Sequence, residues 1–274
     1  MNSRTVVTLV SAAATRTAYR ALCGRPPGDA ATWERKNHAG RTVELYGGLA
    51  ACAGTVLAVA TAPGLPARTR AAAGLAAAVA GGCGAYDDQC GSAGERGWRA
   101  HLGALRRGEV TSGAVKLFGI GAAGLAAGAL IKERPVDRVL AGVVIAGAAH
   151  VVNLVDVKPG RAAKGVIAAG APGLLRHGPA GALAVAPVAA AAAVLADDVG
   201  ERTMLGDAGA HALGAAIGVA MAAGNGRSGL VAHAAVLVAL AAVGDKVSYS
   251  EALWNAPGVR AVDGWGRLDP PDTP

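Results

Sequence analysis

Residues 204–223, "MLGDAGAHALGAAIGVAMAA", decide how the chain is to be read. After Asp207 the stretch is Ala, Gly, Leu, Ile, Val and Met, with His211 the one polar exception. A helix of this composition has no face suited to water, so it is buried all round, in a large core or in lipid. The rest of the chain selects lipid. Of 274 residues, 53% are hydrophobic and 16% charged, whereas a soluble domain carries roughly a quarter charged residues. Mean hydropathy is +0.38, and the apolar residues come in long blocks separated by short polar ones. In a bilayer a helix satisfies its backbone polar groups internally, and the 41 glycines and many alanines suit close helix–helix approach.

The expected fold is therefore all-α, a polytopic transmembrane bundle of about nine spans. Runs of near-membrane length fall at 4–23, 46–63, 68–86, 113–131, 137–154, 163–178, 180–196, 208–223 and 228–244. Residues 1–245 form the membrane-embedded domain and 246–274 a polar tail. The tail contains Pro257, Pro270 and Pro271. It is expected either to be disordered or to hold one amphipathic helix over 248–254, resting on the membrane through Tyr249, Leu253 and Trp254. The N-terminal stretch is broken by Arg16 and Arg20 and lacks a small-x-small cleavage site, which favours a first span over a cleaved signal. Cys23, Cys52, Cys83 and Cys90 form no CxxC and have no histidine at ligand spacing, which argues against a zinc site and a disulfide framework.

The net charge of +7 does not point to nucleic acid, because the basic residues lie in short loops between apolar blocks. They divide unequally. Fourteen, including Arg35, Lys36, Arg41, Arg96, Arg99, Lys158 and Arg161, fall on one face, against eight on the other. The positive-inside rule puts the richer face, with the tail, in the cytoplasm of a multi-pass cell-membrane protein.

Acidic residues at span ends share that face: Asp87-Asp88, Asp156, Asp197-Asp198 and Asp207. Each taken alone reads as a solvated end or a helix cap. Together, at a low-dielectric boundary, unpaired carboxylates are costly, and adjacent Asp87 and Asp88 repel unless a cation lies near. Hard oxygen ligands completed by water and substrate phosphate suit Mg²⁺. Lys116, Asn153, Arg161 and Lys164 lie on the same face. Lys116 alone reads as a snorkelling side chain, and beside carboxylates and a metal it becomes a phosphate ligand. The constellation fits phosphoryl transfer to a lipid.

At these residues the sequence resembles the polyprenyl-phosphate N-acetylhexosamine-1-phosphate transferases, which include phospho-N-acetylmuramoyl-pentapeptide transferase and the undecaprenyl-phosphate GlcNAc-1-phosphate transferases. The basic segment ending in Gly-Gly looks like "ERKNHAGRTVELYGG", with Arg35, Lys36, His38, Arg41, Gly47 and Gly48. The paired-Asp motif looks like Asp87-Asp88, followed by the family's lysine at Lys116. The Asn-Leu-x-Asp motif looks like Asn153-Leu154-Val155-Asp156, and the Met-Gly-Asp-x-Gly motif looks like "MLGDAG". Pro159 stands where the family carries a second Asp, and the histidine-rich loop of the muramoyl-pentapeptide enzymes is missing.

The resemblance implies an enzyme that moves a sugar-1-phosphate from a UDP-sugar to polyprenyl (undecaprenyl) phosphate with Mg²⁺, releasing UMP, in cell-envelope glycan synthesis. It implies catalytic roles for Asp87, Asp88 and Asp207, with Asp207 and Asp87 as metal ligands and the helix start at Asp207 open to bound phosphate. Lys116, Asn153, Asp156, Arg161, Lys164, His38 and Arg41 would bind substrate or phosphate. The partners expected are the polyprenyl phosphate lipid, a nucleotide sugar and the membrane, and a homodimer is compatible with this reading. Pro159 and the missing loop support the alternative, a catalytically inactive relative that binds a lipid-linked precursor or acts as a scaffold. A transporter would carry charges near mid-span, and apart from Lys116 close to one end there are almost none.

Overall fold

The computed structural model describes residues 2–91 and 103–269. Arg96, Arg99, Pro270 and Pro271 lie outside the described residues. Among the described residues, nine helices have fourteen residues or more. These are α1 Ser3–Gly24, α2 Tyr46–Ala60, α3 Ala67–Cys90, α4 Ser112–Ile131, α5 Pro135–Val155, α6 Arg161–Leu174, α7 Pro179–Val199, α8 Gly206–Gly224 and α9 Arg227–Val243. Each of the nine apolar stretches falls on one of them, with ends displaced by up to four residues. Several ends follow local chemistry. Asn2 Oδ1 accepts the Thr5 N–H at 3.0 Å, and Thr111 Oγ1 accepts the Ala114 N–H at 3.1 Å. Pro135 and Pro179 occupy first turns, where a missing N–H is harmless.

Three helices, α4, α5 and α7, are long and apolar enough to cross a membrane, while α2 and α9 are apolar but only 15 and 17 residues long. The others carry polar groups: basic residues in α1, α3 and α6, and Asp207 with His211 in α8. Their passage through a bilayer belongs to the proposal below.

The bundle is built round α8. Fifteen of its nineteen residues are buried, and it packs against α2, α3, α5, α6 and α7. Its Gly214 and Gly218, four residues apart, form a groove for α5. A Cβ at Gly214 would lie 2.7 Å from Ala149 Cα, and one at Gly218 would lie 2.6 Å from Ile145 Cα. The missing side chains let the two backbones touch, as small-xxx-small pairs do in membrane bundles. The outer helices turn apolar groups outward: Leu117, Phe118 and Leu125 of α4, Val136 and Val139 of α5, and Val236 and Val238 of α9. A core of small residues under an apolar exterior is the arrangement that lipid as solvent permits.

Two features escaped the sequence reading. Residues 24–45 contain a hairpin, β1 Glu34–Lys36 antiparallel to β2 Thr42–Glu44, rather than a plain loop. The tail is not a single surface helix over 248–254. It forms three short helices, α10 Asp245–Ser248, α11 Glu251–Trp254 and α12 Pro257–Gly264, folded back on the start of α6. Trp254 lies over the Arg161 guanidinium at 3.6 Å instead of being turned to a bilayer. The four cysteines are free.

The α5–α8 contact gives the first prediction. Gly218→Ala places a methyl against α5 backbone, so the helices must part, at a cost of about 1–3 kcal/mol. Gly82, on the exposed side of α3 with nothing within 4 Å of its would-be Cβ, is the control. Thermal unfolding in detergent should fall for Gly218→Ala and hold for Gly82→Ala.

Candidate active site

One end of the bundle gathers the last turns of α3, α5 and α7 and the first turns of α4, α6 and α8. The organising fact is how α8 begins. Its capping position is Leu205, which has no side-chain acceptor. The N–H groups of Asp207 and Ala208 instead donate to Asp88 Oδ1 and Oδ2, both at 3.0 Å, and the Gly206 N–H faces the Asp156 carboxyl. A carboxylate from another helix thus satisfies two of the four orphan donors of α8, and a second lies beside a third. Gly206 makes the approach possible, since its φ is +56° and a Cβ there would lie 3.2 Å from both Asp88 oxygens. Gly48 allows α2 to reach the same turn, because a Cβ on it would overlap the Leu205 carbonyl.

This arrangement removes the bland reading of Asp207 as the cap of its own helix, and it corrects the expectation of a helix start open to phosphate, because Asp88 already takes the N–H groups of Asp207 and Ala208. The Asp207 carboxylate is thereby left for other work. It accepts from Lys116 Nζ, which also contacts Asp87 Oδ2 at 2.6 Å. Lys116, Asp87 and Asp207 are each about a fifth exposed, at the rim and not in the dry interior. His211, one turn on, directs Nδ1 to the Asp207 carbonyl at 2.7 Å and is buried.

Two carboxylates converging on one cation form a donor set that fits a hard divalent ion, which commonly takes one or two protein carboxylates and completes its shell with phosphate and water. Among the described residues no group of three His, Cys, Asp or Glu side chains gathers at metal-ligand spacing. An ion held by Asp87 and Asp207 would take its remaining oxygens from substrate and water.

A cavity of about 330 Å³ is bordered by His38, Asp156, Lys158 and Asp198. Burial, with the neighbouring carboxylates of Asp198, Asp207 and Asp88, pushes Asp156 well above the usual carboxylate range. Burial and the charges of Lys158, Arg161 and Arg267 hold His38 below the usual imidazole value. Asn153 lies in the last turn of α5, where its carbonyl accepts the Asp156 N–H at 3.1 Å.

The remaining expected phosphate ligands are placed elsewhere. Arg161, only 4% exposed, pairs through Nε and Nη2 with both Asp263 oxygens, at 2.9 and 3.0 Å, and gives Nη1 to the Ser248 carbonyl. Lys164 Nζ donates to the carbonyls of Asp263 and Trp265, at 2.8 and 2.6 Å. Arg41 Nη1 pairs with Glu201 at 2.6 Å, and its Nη2 donates to the Asp269 carbonyl. These three cations fasten the tail and the hairpin to the bundle.

Glu44 was missed altogether. Its carboxylate accepts from Tyr19 Oη at 2.8 Å, Tyr46 N–H at 2.6 Å and Thr203 Oγ1 at 3.1 Å, joining α1, α2 and the loop before α8. Burial raises its pKa in spite of those donors. The signal available was a single Glu immediately before an apolar span, which is also what any helix start looks like.

No protein-family model matches the sequence, and no curated protein matches it. The residues themselves carry the functional reading.

Two predictions follow from this geometry. Asp88→Ala leaves two helix-start N–H groups without their acceptor and should cost about 2 kcal/mol. Asp207→Ala should cost clearly less, and thermal unfolding of the two variants compares them. The second concerns Asp263. Burial raises its pKa, but the hydrogen bonds and charges of Arg161 and Arg267 outweigh that and hold it at about 2. An unfolded Asp titrates near ~3.9, so the clamp contributes fully above about pH 4 and is lost as pH falls toward 2. Pepsin should therefore begin to cut within residues 250–268 between those limits, ahead of global unfolding, and Asp263→Asn should be cut at pH 4.

Proposed function

We propose that the chain is an integral membrane glycosyl-1-phosphate transferase, with its nine long helices spanning the cell membrane and the carboxylate end facing the cytoplasm. It would move a sugar-1-phosphate from a UDP-sugar to polyprenyl phosphate with Mg²⁺ and release UMP. The observation that carries this reading is the Asp87–Lys116–Asp207 cluster. Asp207 opens a buried helix, yet its carboxylate is spared from capping and aimed, with a second carboxylate, at a single cation on the bundle rim.

Asp207 and Asp87 would hold Mg²⁺, which supplies charge neutralisation on the donor diphosphate and on the departing oxygen. Lys116 meets a phosphate oxygen as a compact point charge. A polyprenyl phosphate oxygen attacks the β-phosphorus of the donor. The bond from that phosphorus to the UMP oxygen breaks, and UMP leaves with the electron pair. The attacking oxygen is already anionic near neutral pH, so no group need remove a proton from it. Asp88 is free to act as it does in the bundle, positioning Asp207 by gripping the two N–H groups beside it. Asn153, Asp156 and His38 border the donor side. The apolar outer faces of α4, α5 and α9 suit a prenyl chain lying along the bundle.

One observation favours the second reading, a non-catalytic binder of lipid-linked precursor. Arg41, Arg161 and Lys164 are all engaged by the protein's own carboxylates and carbonyls, which leaves Lys116 as the main cation beside Asp87 and Asp207. Release of UMP from UDP-sugars by purified protein with undecaprenyl phosphate separates the readings. The transferase requires Mg²⁺-dependent release, and its absence with donor binding retained supports the binder.

Asp207→Asn keeps the size of the side chain and discards its charge. The variant's turnover should fall by roughly two or more powers of ten, about 3 kcal/mol of lost transition-state stabilisation. Its unfolding temperature should stay near that of the parent, because Asp88 and Asp156 hold the helix start. Raising Mg²⁺ should recover part of the loss. Near-normal turnover in Asp207→Asn would sink the assigned role.

A further inference from the structure

Asp198, near the end of α7, is 2% exposed, and its Oδ2 accepts no hydrogen bond. The neighbouring cations are turned to other partners. Arg16 and Arg202 pair with the adjacent Asp197, Lys164 Nζ gives two of its three hydrogens to the Asp263 and Trp265 carbonyls, and Arg267 bonds to Asp263 and the Pro159 carbonyl. The Gly160 N–H faces the carboxyl, which leaves Oδ2 without a donor. A buried carboxyl oxygen of this kind is normally satisfied, and Asp198 lines the cavity of about 330 Å³ that Asp156 also borders. That volume is in the range of small-molecule sites.

The rest of the lining indicates what would supply the donor. Lys36 and Lys158 bring positive charge, Met204 and Tyr249 an apolar wall, and Asp156 a second acceptor. A ligand matching all of these carries an anion for the lysines, a flat or apolar body for the wall, and a neutral O–H for the carboxyl. That is a phosphorylated sugar. Asp198 and Tyr249 belong to none of the motifs on which the family resemblance rests.

We propose that Asp198 is the specificity residue of a phosphorylated-sugar site in this cavity, accepting a hydrogen bond from a ligand hydroxyl while Lys36 and Lys158 hold the phosphate. Such a site discriminates strongly, because a ligand lacking the hydroxyl leaves the buried oxygen unpaired again. The hydroxyl can belong to the ribose of a nucleotide or to the hexose of a sugar phosphate. The proposal rests on the transferase reading only for the choice of these two ligands, and binding tests it without turnover.

The experiment uses the purified full chain in detergent and measures dissociation constants for two pairs: UMP with 2′,3′-dideoxy-UMP, and GlcNAc-1-phosphate with its 3-deoxy and 4-deoxy forms. One parent ligand should bind at least roughly tenfold more tightly than its deoxy form, and the pair that shows the gap identifies the sugar. Asp198→Asn should close the gap by weakening the parent ligand. Lys158→Met should weaken parent and deoxy ligands alike and leave their ratio unchanged, which tests the site even if Asp198→Asn fails to fold. Equal affinity for parent and deoxy forms, a gap that survives Asp198→Asn, or no binding of either parent ligand at millimolar concentration overturns the proposal. Binding with the expected gap but without UMP release would sink the transferase reading and leave this site standing.

Discussion

A helix that starts inside an apolar bundle must find partners for its first N–H groups, and α8 finds two of them on the Asp88 carboxylate of another helix, with Asp156 close by. An unpaired buried N–H costs about 1–3 kcal/mol. The constraint fixes more than one helix end. It sets the ends of α3 and α5 against the start of α8, which requires glycine at 206 and a bare backbone at Gly48 for α2 to close the remaining side. Once these four helices meet there, Asp87 and Asp207 are brought to the same lysine.

The electrostatic consequence is an excess of carboxylates over cations at one end of a basic protein. Asp87, Asp88, Asp156, Asp198 and Asp207 lie at that end, and among the described residues Lys116 is the only cation paired with Asp87 and Asp207. Helix-start N–H groups carry partial positive charge and relieve Asp88 and Asp156. Asp87 and Asp207 share one lysine between two carboxyl groups. A divalent ion arriving with an anionic ligand would meet two carboxyl groups already gathered at one point, which is what the proposed metal-assisted transfer calls for.

The fold was legible because composition and block length report directly on solvent. Ala- and Gly-rich runs of near-membrane length become helices whether their neighbours are known or not, and all nine did. Part of the site was legible for a similar reason, since acidic residues at helix ends that share one face must meet if the bundle closes. What could not be read was the partner of each charge. Asp207 carries the local signature of a cap, and the acceptor that displaces it, Asp88, lies 119 positions away. Glu44 and Glu201 look like ordinary polar punctuation until the hairpin and the loop before α8 are side by side. The tail, expected either to be disordered or to hold one amphipathic helix over 248–254, instead folds back so that Trp254 stacks on the Arg161 guanidinium, 93 positions away in the chain.

The tail shows why basic residues near an acidic site are ambiguous in sequence. A carboxylate and a phosphate present similar paired oxygens to a guanidinium, so Arg161 would be written the same way for either. In this chain Asp263 takes that place and Arg267 braces it from the other side at 2.6 Å. The same clamp has a geometric effect on the neighbouring cavity. Arg161 holds the Ser248 carbonyl, and the Ser248 hydroxyl donates to the Leu154 carbonyl, so the backbone beside Tyr249 is pinned from both sides. Arg267 Nε, bonded to the Pro159 carbonyl at 2.7 Å, fixes the opposite lip. Cations that resemble ligands for a substrate thus serve to build the wall against which a substrate would rest, and the C-terminal segment belongs to the site as much as the helices do.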